Sequence, residues 1–153
     1  MDALTVATLN INGLESPTRI AMLDAFIRTH DIDILLLQEV KKPIDLQSTH
    51  YRTYFNIGTT RRGTAIVARE GVALTNIAMV PSGRAIVAEY NNTTIVNIYA
   101  PSGTAKRSER EDLFNRVLPS VLGKNTRTSR LEETTIVYWE RMTKQGEVVT
   151  AGP

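Results

Sequence analysis

The stretch Ile32–Glu39, with the sequence IDILLLQE, is an almost uninterrupted apolar run that ends in an amide and a carboxylate. A run of this kind predicts a strand that is covered on both of its faces, as at the centre of an α/β sheet. Ligands of open α/β sheets collect at the carboxyl ends of such strands. We therefore expect Glu39 to lie at a functional edge of the fold.

A strand and a helix are predicted before this run. Leu4–Asn10 alternates and is rich in residue types that favour strands. Ser16 and Pro17 are typical of a helix N-cap and of the first helical position. An apolar stripe of helical spacing follows them and ends near His30. The chain therefore begins with the order strand, helix, strand.

Short strand candidates separated by turn residues fill the middle of the chain. A helix predicted to begin near Ser108 and to end near Leu122 follows them, and Thr134–Trp139 is one further strand candidate. Residues 51–100 lack helical crossovers, which excludes a purely parallel sheet. One mixed sheet and two packed sheets, each flanked by helices, both fit this order. The strand candidates in the middle are Tyr51–Ile57, Arg62–Arg69, Val72–Val80, Arg84–Tyr90 and Thr93–Ala100.

Length and composition exclude several classes of protein. The chain has 153 residues, which suits one domain, and its 42% hydrophobic and 22% charged residues are typical of a globular protein rather than a disordered one. No apolar run approaches the ~20 residues that a membrane-spanning helix needs. The absence of cysteine excludes disulfides, thiolate zinc sites and cysteine nucleophiles. Residues 1–10 show no signal-peptide pattern, so we expect a nuclear or cytoplasmic protein that is not secreted.

Positive charge is concentrated in residues 106–130. This stretch carries seven basic and three acidic residues, a local net charge of +4, whereas residues 1–100 sum to zero. A basic stretch attracts phosphate backbones, which makes DNA a candidate partner and Arg107 a candidate phosphate contact. The alternative is a solvated helix face followed by a loose tail.

Glu39 is the most informative candidate for chemistry. A buried, unpaired carboxylate is costly, so a metal ion or a paired cation is expected beside it. A single carboxylate of this kind suits Mg²⁺, which keeps several water ligands, and Mn²⁺ is an alternative ion. The competing interpretation is an ion pair with Lys41 or Lys42.

Three further polar residues stand at predicted strand ends. The amides of Asn10 and Asn12 can orient a carboxylate, a water molecule or a phosphate oxygen. Tyr99 closes its strand and can present a hydroxyl to a phosphate. The alternatives are a simple turn at Asn12-Gly13 and an amphipathic rim position for Tyr99.

Four segments together resemble the endonuclease/exonuclease/phosphatase superfamily, and most nearly the apurinic-endonuclease-like domain of non-LTR retrotransposons. They occur in the order of the family's motifs, within residues 4–122. The resemblance implies a partial two-sheet β-sandwich flanked by helices, of the α/β (α+β) class, and a Mg²⁺-dependent DNA endonuclease. The segments are Thr8–Leu14 (TLNINGL), Ile34–Glu39 (ILLLQE), Arg62–Ile66 (RGTAI) and Asn97–Pro101 (NIYAP).

The resemblance also implies roles for individual residues. Glu39 is expected to be the Mg²⁺ ligand, and Asn10 is expected to help bind the metal and the phosphate. Tyr99 is expected to contact the phosphate in the transition state. Asn12 is expected to support the metal shell or the active-site network, and it is a candidate substrate contact. Ser102, which falls where relatives often carry asparagine, is another candidate substrate contact.

The chain departs from the family pattern after residue 122. The family continues with Gly-Asp-Phe-Asn and Ser-Asp-His motifs, but this sequence has no aspartate after Asp112 and no histidine after His50. Residues 1–122 are therefore interpreted as the N-terminal portion of the domain, and residues 123–153 as an unassigned tail. We expect a truncated endonuclease domain that is weakly active or inactive alone. The alternative is a non-catalytic interaction or nucleic-acid-binding fragment, with self-association through an open sheet edge.

Overall fold

The computed structural model describes residues 4–13, 16–46, 50–59, 63–91, 93–101, 103–125 and 147–151. Ser102 and the strand candidate Thr134–Trp139 lie outside these residues. The elements are β1 (Leu4–Asn10), α1 (Pro17–Thr29), β2 (Ile34–Val40), β3 (Tyr51–Asn56), β4 (Gly63–Arg69), β5 (Thr75–Met79), β6 (Ala85–Tyr90), β7 (Thr93–Ile98), a 3₁₀ turn (Thr104–Lys106), α2 (Arg107–Asp112), a π-helical segment (Leu113–Val117), α3 (Leu118–Asn125) and β8 (Glu147–Ala151).

The strands form two sheets, as the resemblance implied. The first sheet has the order β3-β4-β2-β1-β8, and the second has the order β5-β6-β7. Strands β1 and β2 are parallel and are connected through α1, whereas every other pair is antiparallel. The alternative of one mixed sheet is therefore wrong, and the prediction of a two-sheet sandwich flanked by helices is confirmed.

Local chemistry explains where α1 begins and ends. The Ser16 side chain accepts a hydrogen bond from the Arg19 backbone N–H (3.2 Å), and Pro17 occupies the first helical turn. His30 caps the carboxyl end of the helix through its backbone N–H. Its ring packs against Phe26, with the ring centroids 4.7 Å apart. Both predicted helix boundaries are confirmed.

Strand β2 lies at the centre of the sandwich because both of its faces are apolar. Leu35 and Leu37 pack toward α1, whereas Ile34 and Leu36 pack toward the second sheet. A strand buried in this way loses the alternation of a surface strand, which is why its sequence is a continuous apolar run. The prediction of a strand covered on both faces is confirmed.

The second helical region packs on the outer face of the second sheet and differs from the single helix predicted for residues 108–122. A π-helical segment separates α2 from α3, and the Leu118 backbone N–H donates to the Leu113 carbonyl. Leu113 and Leu118 are both buried against the second sheet. A π turn closes between residues five apart, so it lets both leucines contact the same core. No helix within the described residues is long and apolar enough to cross a membrane.

A buried hydrogen-bond network joins the two sheets. The Gln38 amide donates to Thr8 Oγ1 (2.9 Å) in the first sheet and to Asn97 Oδ1 (2.8 Å) in the second. The Asn97 amide donates in turn to the carbonyls of Leu37 (2.9 Å) and Ala65 (2.8 Å). Asn97 is fully buried, so these bonds replace the water that it loses. No sequence pattern predicts this role for either amide.

We predict that Asn97→Ala lowers the free energy of unfolding by about 3 kcal/mol, because it leaves several buried polar groups without a partner. Urea denaturation followed by circular dichroism measures the change. Asn115→Ala is the matched control, since Asn115 is exposed in the π-helical segment, and it should alter stability little. Equal effects of the two substitutions would contradict a structural role for the network.

Candidate functional site

Two of the predicted residues meet where strands of the two sheets end. The Tyr99 hydroxyl donates a hydrogen bond to Glu39 Oε1 over 2.8 Å. Glu39 lies near the end of β2, and Tyr99 directly follows β7. The contact therefore joins residues 60 positions apart in sequence, across the interface of the two sheets.

A β-bulge turns Glu39 toward Tyr99. The register with β4 shifts between Gln38 and Val40, and Glu39 has a positive φ of 55°. Strict alternation would place Glu39 on the same face as Leu37, toward α1. Val40 takes that buried position instead. Glu39 is thereby left half-buried at the edge of the sandwich, and the strained backbone is typical of a functional site.

The loop after β1 brings Asn10 and Asn12 to the same end of the first sheet. Asn10 pairs with Gln38 in the parallel register, one residue before Glu39. The Gly13 backbone N–H donates to the Glu39 carbonyl (2.9 Å), so the loop is tied to the bulge. The Asn10 side-chain oxygen accepts a hydrogen bond from the Asn12 backbone N–H (3.1 Å). The Asn12 side chain itself is exposed.

Arg19 supports this loop, although no sequence pattern predicts it. Its guanidinium donates to the carbonyls of Gly13 (2.8 Å) and Ile11 (3.1 Å). Arg19 lies in the first turn of α1, so the helix and the loop are held together by one side chain. An arginine at an exposed helix start carries no distinctive sequence signal, which is why the sequence does not single it out.

The competing interpretation, an ion pair of Glu39 with Lys41 or Lys42, is not formed within the described residues. The contact found for the Glu39 carboxylate there is the hydrogen bond from Tyr99. Both lysines are exposed. The second carboxylate oxygen of Glu39 is therefore not committed to either of these lysines.

Arg84 is a second residue of the site that the sequence does not predict. It precedes β6, is only 3% exposed, and places its guanidinium carbon 5.1 Å from the centroid of the Tyr99 ring. Arg84 Nη2 lies 3.3 Å from Glu109 Oε1. In the sequence, Arg84 is only a charged residue before an apolar strand. Its burial becomes evident only once the second helical region is known to cover that strand.

Arg107 and Ser102 are not brought into the Glu39–Tyr99 contact by the described structure. Arg107 is exposed on α2, where its Nε donates to Glu111 Oε1 (2.8 Å) one helical turn away. Ser102 lies outside the described residues. Their roles in substrate binding therefore stay predictions.

Part of the basic stretch is compensated within its own helices. Arg116 donates to both carboxylate oxygens of Asp112 (2.6 and 2.8 Å). These hydrogen bonds hold the pKa of Asp112 below its usual value. Arg110 is occupied with the carbonyls of Pro101 (3.1 Å) and Gly103 (3.3 Å). The local charge of residues 106–130 is thus less available to a phosphate backbone than the sequence indicates.

The donor atoms near Glu39 fit a hard cation with few protein ligands. Within the described residues, no group of three or more His, Asp or Glu side chains is arranged to hold a metal ion. Glu39 and Asn10 nevertheless offer a carboxylate and an amide oxygen at the ends of neighbouring strands. Mg²⁺ is commonly bound by one or two carboxylates and several waters, so this donor set suits it chemically.

Comparisons with known proteins show the family and the fold of the chain. Residues 7–131 match the model of the endonuclease/exonuclease/phosphatase family. An exodeoxyribonuclease of Bacillus subtilis is 28% identical over 105 residues, which cover 61% of this chain and 41% of that protein. A Neisseria 3′ phosphatase bound to a product DNA hairpin has a TM-score of 0.66 and 25% identity, with 82% of this chain and 54% of that chain covered.

A further structure shows the fold without close sequence identity. An AP endonuclease from Archaeoglobus fulgidus has a TM-score of 0.60 and 22% identity, and the match covers 79% of this chain and 51% of that chain. The chain therefore spans about half the length of the relatives that it matches.

The positive φ of Glu39 generates a stability prediction. Replacement of a side chain by glycine in a strand normally destabilises a protein by roughly 0.5–1 kcal/mol relative to alanine. At Glu39 the order should reverse, because an L-residue in the left-handed region costs about 1–2 kcal/mol that glycine avoids. We expect Glu39→Gly to be more stable than Glu39→Ala by about 1 kcal/mol in urea denaturation.

Arg52, an exposed residue of β3, supplies the matched pair. Arg52→Gly should be less stable than Arg52→Ala, which is the usual order in a strand. The same order at both positions would show that the bulge does not strain Glu39.

Proposed function

This chain belongs to the endonuclease/exonuclease/phosphatase family, and we propose that it is the metal-binding and phosphate-contacting portion of a DNA nuclease. The observation that carries the proposal is the Tyr99–Glu39 hydrogen bond at the edge of the sandwich. It unites the two residues whose sequence motifs imply a metal ligand and a phosphate contact.

The proposed metal ligands are Glu39 and Asn10, with Mg²⁺ as the ion and Mn²⁺ as the alternative. The ion, when bound, supplies Lewis-acid polarisation of a phosphodiester. Glu39 supplies the negative charge that holds it, and Asn10 a neutral oxygen. Asn12, whose backbone N–H engages Asn10, is proposed to keep that amide oriented.

Tyr99 is proposed to contact the scissile phosphate. Its hydroxyl is half-buried and already donates to Glu39, so it lies beside the oxygen ligand that we assign to the metal. A phenol has one proton, so the hydroxyl donates to a phosphate oxygen only after it turns from Glu39, and this rotation about the C–O bond leaves the ring in place. Ser102 and Arg107 are proposed as additional substrate contacts.

The substrate class follows from the relatives. The Bacillus protein is an exodeoxyribonuclease, and the Neisseria phosphatase was solved with a product DNA hairpin. DNA is therefore the proposed substrate. The four motif segments support the retrotransposon-type endonuclease as the specific activity, with nicking of duplex DNA as the reaction.

The proposed site is chemically incomplete within these 153 residues. No aspartate follows Asp112 and no histidine follows His50, so the residues that activate water in the family have no counterpart here. His30 caps α1, and His50 lies by Glu70 at the other end of the first sheet. We accordingly propose that residues 1–122 form the metal-binding portion and that activity of this chain alone is weak.

A second candidate is an interaction module without catalysis. Strand β8 pairs with β1 and forms one edge of the first sheet. Within the described residues, β7 forms an edge of the second sheet. An edge strand offers backbone groups to another chain. Self-association through such an edge is the proposal that competes with independent catalysis.

We predict that Glu39→Gln weakens Mg²⁺ binding at least about tenfold, because it removes the charged ligand while it keeps the shape of the side chain. Isothermal titration calorimetry with MgCl₂ measures the affinity. Glu70→Gln is the matched control, since Glu70 is exposed and far from Tyr99, and it should leave binding unchanged. Equal affinity in Glu39→Gln and the unaltered chain would remove Glu39 from the metal site.

We predict that this chain nicks supercoiled plasmid at least about 10²-fold more slowly than a full-length family member, the low end of what general acid–base catalysis contributes. Reactions should contain matched enzyme concentrations with Mg²⁺ or with EDTA. The residual nicking should disappear in EDTA and in Glu39→Ala. A mock preparation from cells that do not express the protein measures contaminating nuclease, which is subtracted.

Two results would contradict the proposal in different ways. Nicking that survives Glu39→Ala would show that Glu39 takes no part in it. Rapid nicking that is lost in Glu39→Ala would show a complete catalytic site within the chain, so the expectation of weak activity would be wrong.

A further inference from the structure

Arg84 is buried with less compensation than a structural arginine usually has. It is 3% exposed, and its Nε has no hydrogen-bond partner among the described residues. Its ion pair with Glu109 is long, at 3.3 Å, and the Glu109 side chain is 49% exposed. Burial of a guanidinium is costly unless its charge and its N–H groups are matched. Stability alone therefore gives a poor account of this residue.

The surroundings of Arg84 connect it to Tyr99 twice. Its carbonyl accepts the Tyr99 backbone N–H over 2.7 Å. Its guanidinium lies over the ring, 5.1 Å from the centroid, within the range of a cation–π interaction. The same ring carries the hydroxyl that donates to Glu39. Arg84 thus contacts both the backbone and the ring of Tyr99.

Helix α2 holds Arg84 and the chain after Tyr99 at the same time. Glu109 pairs with the Arg84 guanidinium, while Arg110 donates to the carbonyls of Pro101 and Gly103. Tyr99 lies between Arg84 and Pro101 in sequence, and α2 contacts the chain at both of these residues. Helix α2, which is not part of the candidate site, therefore restrains the segment that carries the Tyr99 ring.

We propose that Arg84 is a positioning residue that fixes the Tyr99 ring in the orientation that brings its hydroxyl to Glu39. The cation holds the face of the ring, and the backbone hydrogen bond holds its Cα. A cation over the face also polarises the hydroxyl, which makes it a stronger donor to an oxygen anion. This proposal rests on the proposed function only where it concerns the contact of Tyr99 with phosphate. The effect of Arg84 on the hydrogen bond between Tyr99 and Glu39 does not depend on any metal or substrate.

Nuclear magnetic resonance of the metal-free chain without DNA tests the coupling. Tyrosine labelled with ¹³C at Cζ gives one signal for each of the 5 tyrosines, and Tyr99→Phe identifies the relevant one. Glu39→Gln should shift the Tyr99 signal, because it changes the acceptor of the hydroxyl. We expect this response to fall by at least about half when Arg84→Gln or Arg84→Met removes the cation.

Two control substitutions, one conservative and one distant, distinguish positioning of the Tyr99 ring by Arg84 from a general effect on packing. Arg84→Lys keeps a cation near the ring and should preserve most of the response. Arg69→Met breaks ion pairs with Asp31 and Asp33 at the other end of β4 and should leave the response intact. Thermal unfolding of every variant establishes that it is folded, and Arg84→Gln replaces Arg84→Met if that variant is not.

A full Tyr99 response to Glu39→Gln in a folded variant without the Arg84 cation would overturn the proposal. Loss of the response in Arg69→Met would also overturn it, because the effect would then be non-specific. Neither outcome depends on metal binding or nicking, so a failure here differs from a failure of the proposed function.

Discussion

The hydrogen bond between Gln38 and Asn97 sets the alignment of the two sheets on which the candidate site depends. Gln38 is adjacent to Glu39, and Asn97 precedes Tyr99 by two positions, on the same face of the chain. A shift of either sheet would break the bond from Gln38 to Asn97 and the bonds from the Asn97 amide to the carbonyls of Leu37 and Ala65. The cost of an unsatisfied buried polar group therefore selects one alignment, and that alignment brings the Tyr99 hydroxyl to Glu39.

Strain and burial at the site are offset by the elements around it. The bulge at Glu39 places an L-residue at positive φ, and Arg84 is buried beside Tyr99 with an Nε that finds no partner in the described part of the chain. Around them lie strands with buried apolar side chains, and the contacts of these side chains offset the cost of the strain and of the buried charge. Helices α1 and α2 each tie a site loop through arginine side chains, Arg19 in one case and Arg110 in the other.

Elements that are determined by residues close together in sequence are predicted well, whereas features that depend on distant contacts are not. The sequence predicts strand β1 and helix α1 at their true boundaries, because alternation and the Ser16-Pro17 cap act over a few residues. It predicts the second helix as continuous and misses the π-helical segment, which depends on how Leu113 and Leu118 reach the second sheet. The motifs select Glu39 and Tyr99, but neither spacing nor charge points to Arg84.

Short segments of sequence are enough to predict the central strand, the caps of the first helix and the family, because each of them depends on patterns of a few consecutive residues. The direction of the Glu39 side chain and the place of Arg84 beside Tyr99 arise only in the folded chain. These features depend on contacts such as Gln38 to Asn97, 59 positions apart. Such pairings are selected by burial and hydrogen-bond satisfaction across the whole fold, which no local pattern records.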